Sequence, residues 1–98
     1  MSLSTDYKED LLHRLSDPEY ATGYLSACAE EGREELLLGL RNVAQAYGGI
    51  NQLADQTELN RENLYKMLSD EGNPRLSSVF AVLDALGIEL QFRRRTAS

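Results

Sequence analysis

The chain of 98 residues is 42% hydrophobic and 27% charged, which excludes a disordered segment and predicts one folded domain over residues 1–98. No run approaches the roughly 18 apolar residues of a membrane span and no signal-peptide pattern opens the chain, so we expect a cytoplasmic protein without a membrane partner. The single cysteine, Cys28, excludes an intrachain disulfide and a multi-cysteine zinc site, and the net charge of −6 argues at first sight against nucleic acid.

Three helices are predicted in residues 1–48. The first covers about residues 8–15, where leucines recur at helical spacing. The second begins at Pro18, because proline is tolerated at the first helical position and Asp17 before it is a suitable N-cap. The third, about residues 33–47, carries the broadest apolar stripe, which is typical of a helix that packs against a core.

Residues 49–69 have the pattern of a helix-turn-helix, in which two short helices cross and the outer face of the second stays polar. We predict these helices at about residues 50–56 and 61–68. Asn60 is a suitable N-cap for the second helix, and Leu59 is expected to fill the turn. The predicted buried side of the second helix consists of Leu64, Met67 and Leu68.

The side chains left outward on this second helix are of the types that read bases in DNA. Arginine pairs with guanine and asparagine with adenine, while lysine reaches guanine or phosphate. A glutamate can accept from cytosine or repel phosphate at wrong registers, and a tyrosine can contact phosphate or cover the edge of the core. The predicted DNA-binding residues are Asn60, Arg61, Glu62, Asn63, Tyr65 and Lys66.

A closing helix is predicted over residues 76–86, with Gly87 at its C′ position. Apolar and polar residues then alternate over residues 88–93, which is the period of a half-buried strand. A lone strand leaves its backbone groups unpaired, so we expect it to pair with its copy in a homodimer; the alternative is an ordered tail on the bundle. The expected dimerisation residues are Ile88, Leu90 and Phe92.

The charge is unevenly distributed along the chain. Residues 1–56 hold ten acidic and four basic side chains, whereas residues 57–98 hold six of each. This division favours two faces with two different partners. The three arginines at positions 93–95 could supply phosphate contacts or form a solvated terminus.

A longer motif extends from the helix-turn-helix to the closing helix. Its residues are Leu53-Ala54, Thr57, Leu59, Arg61-Glu62, Leu64-Tyr65-Lys66, Leu68-Ser69, Gly72-Asn73-Pro74, Leu76 and Ala85-Leu86-Gly87. This motif resembles the addiction-module antidote (antitoxin) family of λ-repressor-like helix-turn-helix proteins, and the resemblance covers nearly the whole chain. The turn glycine of the family is Glu58 here, and a positive φ at that residue would cost on the order of 1 kcal/mol.

The resemblance implies a λ-repressor-like fold. We therefore expect an all-α bundle of five or six helices with a helix-turn-helix, followed by the short C-terminal β-strand that the alternation over residues 88–93 predicts. The resemblance also implies the antidote of a type II toxin–antitoxin pair, which neutralises a small RNA-cleaving toxin and represses their operon by binding double-stranded operator DNA. Such toxins are typically basic, so an acidic cluster suits toxin contact, although a charge run is often only a solvated face. The candidate toxin contacts are Glu30, Glu31, Glu34 and Glu35.

Two other functions fit the same residues. One is a stand-alone repressor that binds DNA but has no toxin, and the other is a helical protein-interaction module without DNA binding, as the net charge and Glu62 would favour. An enzyme is the least expected class, because the sole histidine, His13, is far in sequence from any residues that suggest a catalytic triad or dyad. Cys28 is expected to pack rather than react, and neither a cofactor nor a metal is expected.

Overall fold

The computed structural model describes the backbone of residues 3–96 and the side chains of residues 6–96. Within this range the fold is all-helical, as predicted. No helix in the described range is both long and apolar enough to cross a membrane. The six helices are α1 (Leu3–Leu15), α2 (Pro18–Glu31), α3 (Arg33–Ala46), α4 (Ile50–Thr57), α5 (Arg61–Met67) and α6 (Leu76–Leu86).

Local sequence correctly predicted the start of α2, whereas the predicted start of α1 was wrong. Asp17 is extended, with φ −85° and ψ 118°, and its carboxylate accepts from the amide of Glu19 at 3.1 Å, so α2 starts at Pro18 as predicted. The start of α1 was predicted five residues too late, at residue 8. Leu3, Tyr7 and Leu11 recur at intervals of four, so the helical spacing extends further towards the N-terminus than the leucines of residues 11–15 on which the prediction rested.

The end of α6 is a Schellman motif. Gly87 takes a left-handed conformation with φ 73°, and its amide donates to the carbonyl of Asp84 at 3.1 Å. The amide of Ile88 donates to the carbonyl of Leu83 at 2.9 Å, which completes the motif. Residues 88–93 contain no strand, so the predicted C-terminal strand is not confirmed. A strand needs a second strand to pair with, and the described part of a single chain provides none.

All six helices contribute to one apolar core. α1 lies against both α2 and α3, and α4 packs against α3, α5 and α6. Because α5 shares this core, its orientation is set by the packing of the whole bundle. The largest fully buried side chains are Leu15, Leu40, Val43, Leu64, Leu68 and Val82.

Candidate nucleic-acid interface

α4 is the first helix of the predicted helix-turn-helix, and its apolar side packs against the core. Ile50 and Leu53 are 4% and 2% exposed, which confirms them as core residues. The small residue Ala54 is partly buried against the same core. α5 packs directly on α4, so the buried residues of α4 also fix the position of the second helix.

The turn between α4 and α5 is held by local hydrogen bonds. Thr57 Oγ1 donates to the carbonyl of Leu53 at 2.7 Å and accepts from the amide of Leu59 at 3.2 Å. Glu58 is left-handed, with φ 61° and ψ 13°, and its amide donates to the carbonyl of Ala54 at 3.0 Å. The turn therefore keeps the positive φ that a glycine would adopt more readily.

α5 begins with the predicted cap. Asn60 Oδ1 accepts from the amides of Glu62 at 2.7 Å and Asn63 at 3.3 Å. This bonding occupies the acceptor of the Asn60 side chain and leaves its Nδ2 donors for an outside partner. On the inner side, Leu64 and Leu68 are fully buried, so the opposite side of α5 must face solvent.

The outer side of α5 carries the residues predicted to contact DNA. All of them are exposed and lie within the cap and first two turns of one short helix. The structure thus gathers them on one surface, while their contact with DNA stays a prediction. They are Asn60, Arg61, Glu62, Asn63, Tyr65 and Lys66.

An arginine of α3 reaches the same surface, which the sequence reasoning missed. Arg41 Cζ lies 5.1 Å from the ring centroid of Tyr65, and Arg61 Cζ lies 6.0 Å from it, both at cation–π range. Among residues 6–96, neither guanidinium forms an ion pair with a carboxylate. We call these three residues the Tyr65 cluster. Arg41 is far from the motif in sequence, so no local spacing signals this contact.

An open groove of about 300 Å³ runs beside α5 and into the loop that follows it. The loop is fixed at Gly72, where a Cβ atom would collide with the backbone carbonyl of Met67. The carbonyl of Gly72 also accepts from Arg33 Nη1 at 2.6 Å, which ties the loop to the start of α3. The residues that line the groove are Asn63, Lys66, Met67, Glu71, Gly72 and Asn73.

The glutamates predicted to contact a toxin lie where α2 meets α3. Glu30 and Glu31 occupy the last turn of α2, where the helix dipole disfavours negative charge. Glu34 and Glu35 occupy the first turn of α3, where the helix dipole favours negative charge. Arg93 Nη2 lies 3.9 Å from Oε1 of Glu30, but both side chains are largely exposed, so this ion pair contributes little stability. The four are Glu30, Glu31, Glu34 and Glu35.

The predicted dimerisation residues differ in exposure. Ile88 is partly buried and packs against the core of its own chain. Leu90 and Phe92 are 49% and 90% exposed, so both present apolar surface to the outside. The part of the predicted interface that is free for a second chain therefore begins after Ile88.

Away from α5, polar side chains of the first three helices form hydrogen bonds that hold these helices together. Asn42 Nδ2 donates to Tyr24 Oη at 2.9 Å, and Lys8 Nζ donates to Asn42 Oδ1 at 2.9 Å, so this chain of bonds links α1, α2 and α3. Burial raises the pKa of Tyr24 and of Cys28. Within the described residues, no group of three or more His, Cys, Asp or Glu side chains is placed to hold a metal ion.

A protein-family model described as probable addiction module antidote protein matches residues 6–94. The chain belongs to this antidote family. An uncharacterized protein of Haemophilus influenzae is 34% identical to it over 86 residues, which cover 87% of this chain and 88% of the relative. No solved structure matches the chain. The family resemblance is therefore confirmed, and in this antidote chain the match extends from within α1 past the end of α6.

Proposed function

We propose that this antidote-family chain is a cytoplasmic DNA-binding antitoxin of a type II toxin–antitoxin module. In this proposal α4 and α5 are the helix-turn-helix of a λ-repressor-like bundle, and α5 enters the major groove of the operator of its own operon. The observation that supports it best is the two-sided character of α5. Its inner side is locked into the core, while its outer side presents six adjacent polar residues with little apolar surface between them.

The predicted DNA-binding residues on α5 would have distinct roles. Arg61 would pair with O6 and N7 of guanine, and Asn63 with N6 and N7 of adenine. Lys66, one turn further on, would reach a guanine or a phosphate, and Glu62 would accept from a cytosine amino group. Asn60, whose acceptor already caps α5, would contribute through its Nδ2 donors.

Two copies would bind one operator. The exposed side chains of Leu90 and Phe92 favour pairing of residues 88–93 with a second chain, so that two reading helices address half-sites about 34 Å apart in an inverted repeat. Leu90→Lys should then give a monomer in light scattering after size exclusion, whereas Gln91→Lys, with the same charge on the neighbouring residue, should stay dimeric. A Leu90→Lys protein that remains a dimer would exclude this interface.

The toxin would bind elsewhere, at the glutamates where α2 meets α3. A small RNA-cleaving toxin is expected to be basic, and this cluster lies in the half of the chain that carries all of the net negative charge. The basic product of a neighbouring gene should arrest growth when it is expressed alone. Coexpression of this chain should restore growth and yield a complex of the two proteins that copurifies. Glu30→Lys combined with Glu34→Lys should weaken that complex, while Glu9→Lys on α1 should not. If the chain neutralises no neighbouring product but represses transcription, it is a repressor without a toxin.

Repression is tested by joining the DNA upstream of the gene to a reporter. We expect the chain to lower reporter transcription, and Arg61→Ala to lose about 1–3 kcal/mol of specific binding and relax the preference at one base position. Arg14→Ala is the matched control, because it removes an arginine that already pairs with Asp10 at 3.1 Å on α1. Repression that Arg61→Ala leaves unchanged would remove this residue from the interface, and no repression by the unmodified chain would favour a protein-interaction module.

A further inference from the structure

The Tyr65 cluster places an arginine from outside the helix-turn-helix beside the proposed reading helix. Arg41 belongs to α3, yet its Cζ is nearer to the ring of Tyr65 than the Cζ of Arg61 is, at 5.1 Å against 6.0 Å. Tyr65 is 37% exposed, so part of its side chain remains accessible beside the guanidinium. The side chain of Arg41 therefore contributes positive charge at the edge of α5 that no motif in the sequence assigns to it.

Two features of the cluster point to an anion as its ligand. Both guanidiniums approach the same ring, and among residues 6–96 no carboxylate pairs with either one. Two unpaired positive charges close together repel each other, and an anion bound by one of them offsets that repulsion. A guanidinium held against an aromatic face also loses less side-chain freedom when it binds, because it is already ordered.

We propose that Arg41 and Tyr65 form a clamp for one phosphate of the DNA backbone at the edge of the reading helix. Arg41 donates to the phosphate oxygens through its guanidinium, and the Tyr65 hydroxyl donates to the same phosphate. Arg61, the more distant of the two arginines, remains free to reach a base edge. The clamp fixes the register of α5 on the duplex and carries no base preference of its own. It rests on the proposed DNA binding.

The alternative role for Arg41 is purely structural, in which it covers the ring of Tyr65 and holds α5 against α3. Salt dependence separates the two roles. The slope of log K against log salt concentration is negative, and each phosphate contact that is lost reduces its magnitude by about 0.9. A structural loss weakens binding without removing a phosphate contact. Four variants supply the comparison: Arg41→Gln, Arg41→Lys, Tyr65→Phe and Arg14→Gln.

The experiment is a fluorescence anisotropy titration of the full chain at several salt concentrations, with the duplex upstream of its gene and with a random duplex. Arg41→Gln should weaken binding to both duplexes by the same factor, on the order of tenfold for each bound copy, and reduce the magnitude of the slope by about 0.9 for each copy, or about 1.8 for the two copies on one operator. Arg41→Lys should keep the slope of the unmodified chain, because it keeps the charge. Tyr65→Phe should weaken binding and keep the slope, because the hydroxyl is neutral. Arg14→Gln should change neither quantity.

Ethylation interference gives a second readout that does not depend on affinity. In each half-site, one phosphate whose ethylation weakens binding of the unmodified chain should become insensitive in Arg41→Gln. Thermal melting checks that each variant is folded. An Arg41→Gln protein that is folded and keeps the original slope overturns the clamp, whether or not its affinity falls. The two proposals fail in different ways. Equal binding of the unmodified chain to both duplexes contradicts operator binding, whereas an unchanged salt slope in Arg41→Gln contradicts the clamp.

Discussion

Replacing Glu58 by glycine should stabilise the protein. Glu58 has φ 61° and ψ 13° at the C-cap of α4, a region that costs an L-residue about 1–2 kcal/mol. Glycine adopts it freely but loses about 0.5–1 kcal/mol more conformational entropy on folding. Among the described residues, the exposed side chain of Glu58 forms no hydrogen bond or ion pair that would be lost. The free energy of unfolding should therefore rise by roughly 0.5–1 kcal/mol.

Thermal unfolding followed by circular dichroism measures this gain. With an unfolding entropy of about 2.1 cal/mol/K per residue, the expected gain raises the Tm of a chain of this length by roughly 2–5 °C. Glu58→Ala is the matched control, because it removes the same charge but keeps the strained φ, so its Tm should stay near that of the unmodified chain. A glycine variant with an unchanged or lower Tm, or an alanine variant that gains as much, would show that φ strain at this turn is not the cause.

Three further predictions concern the cap, the loop and the cysteine. Asn60→Ala should cost about 1 kcal/mol in urea unfolding because α5 loses its cap, while Asn60→Asp, which keeps the acceptor, should cost little; equal losses would count against the cap. Gly72→Ala should cost about 1–3 kcal/mol because of the collision with Met67, whereas Gly23→Ala, with open space at its Cβ, should be neutral or stabilising. Since burial raises the pKa of Cys28, less thiolate is present at pH 8, and iodoacetamide should modify the folded chain more slowly than the urea-unfolded chain; equal rates would contradict this.

Features that depend on neighbouring residues were predictable from the sequence. The Asp17 and Asn60 caps, the glycine at the end of α6 and the two-sided character of α5 all follow from residue types and spacing over a few positions. These are local properties, because a cap or a helix face is decided within one or two turns of chain. The family match, over residues 6–94, agrees with the motif that those same positions form.

Features that depend on packing between distant segments were not predictable. The contact of Arg41 with Tyr65 and the bond from Arg33 to the carbonyl of Gly72 join α3 to α5 and to the loop after it, and neither arginine carries a local pattern that indicates its partner. The alternation over residues 88–93 indicated a strand, but pairing requires a second strand that the sequence of one chain cannot supply.

The measurement that tests the central proposal most directly is a competition titration with the unmodified chain. The labelled duplex carries the DNA upstream of its gene, random duplex is the competitor, and anisotropy is recorded at two salt concentrations. Operator binding predicts tight association that resists an excess of random duplex and weakens as salt rises, since phosphate contacts release counterions. Equal binding to both duplexes, or binding to neither, would contradict sequence-specific recognition by α5.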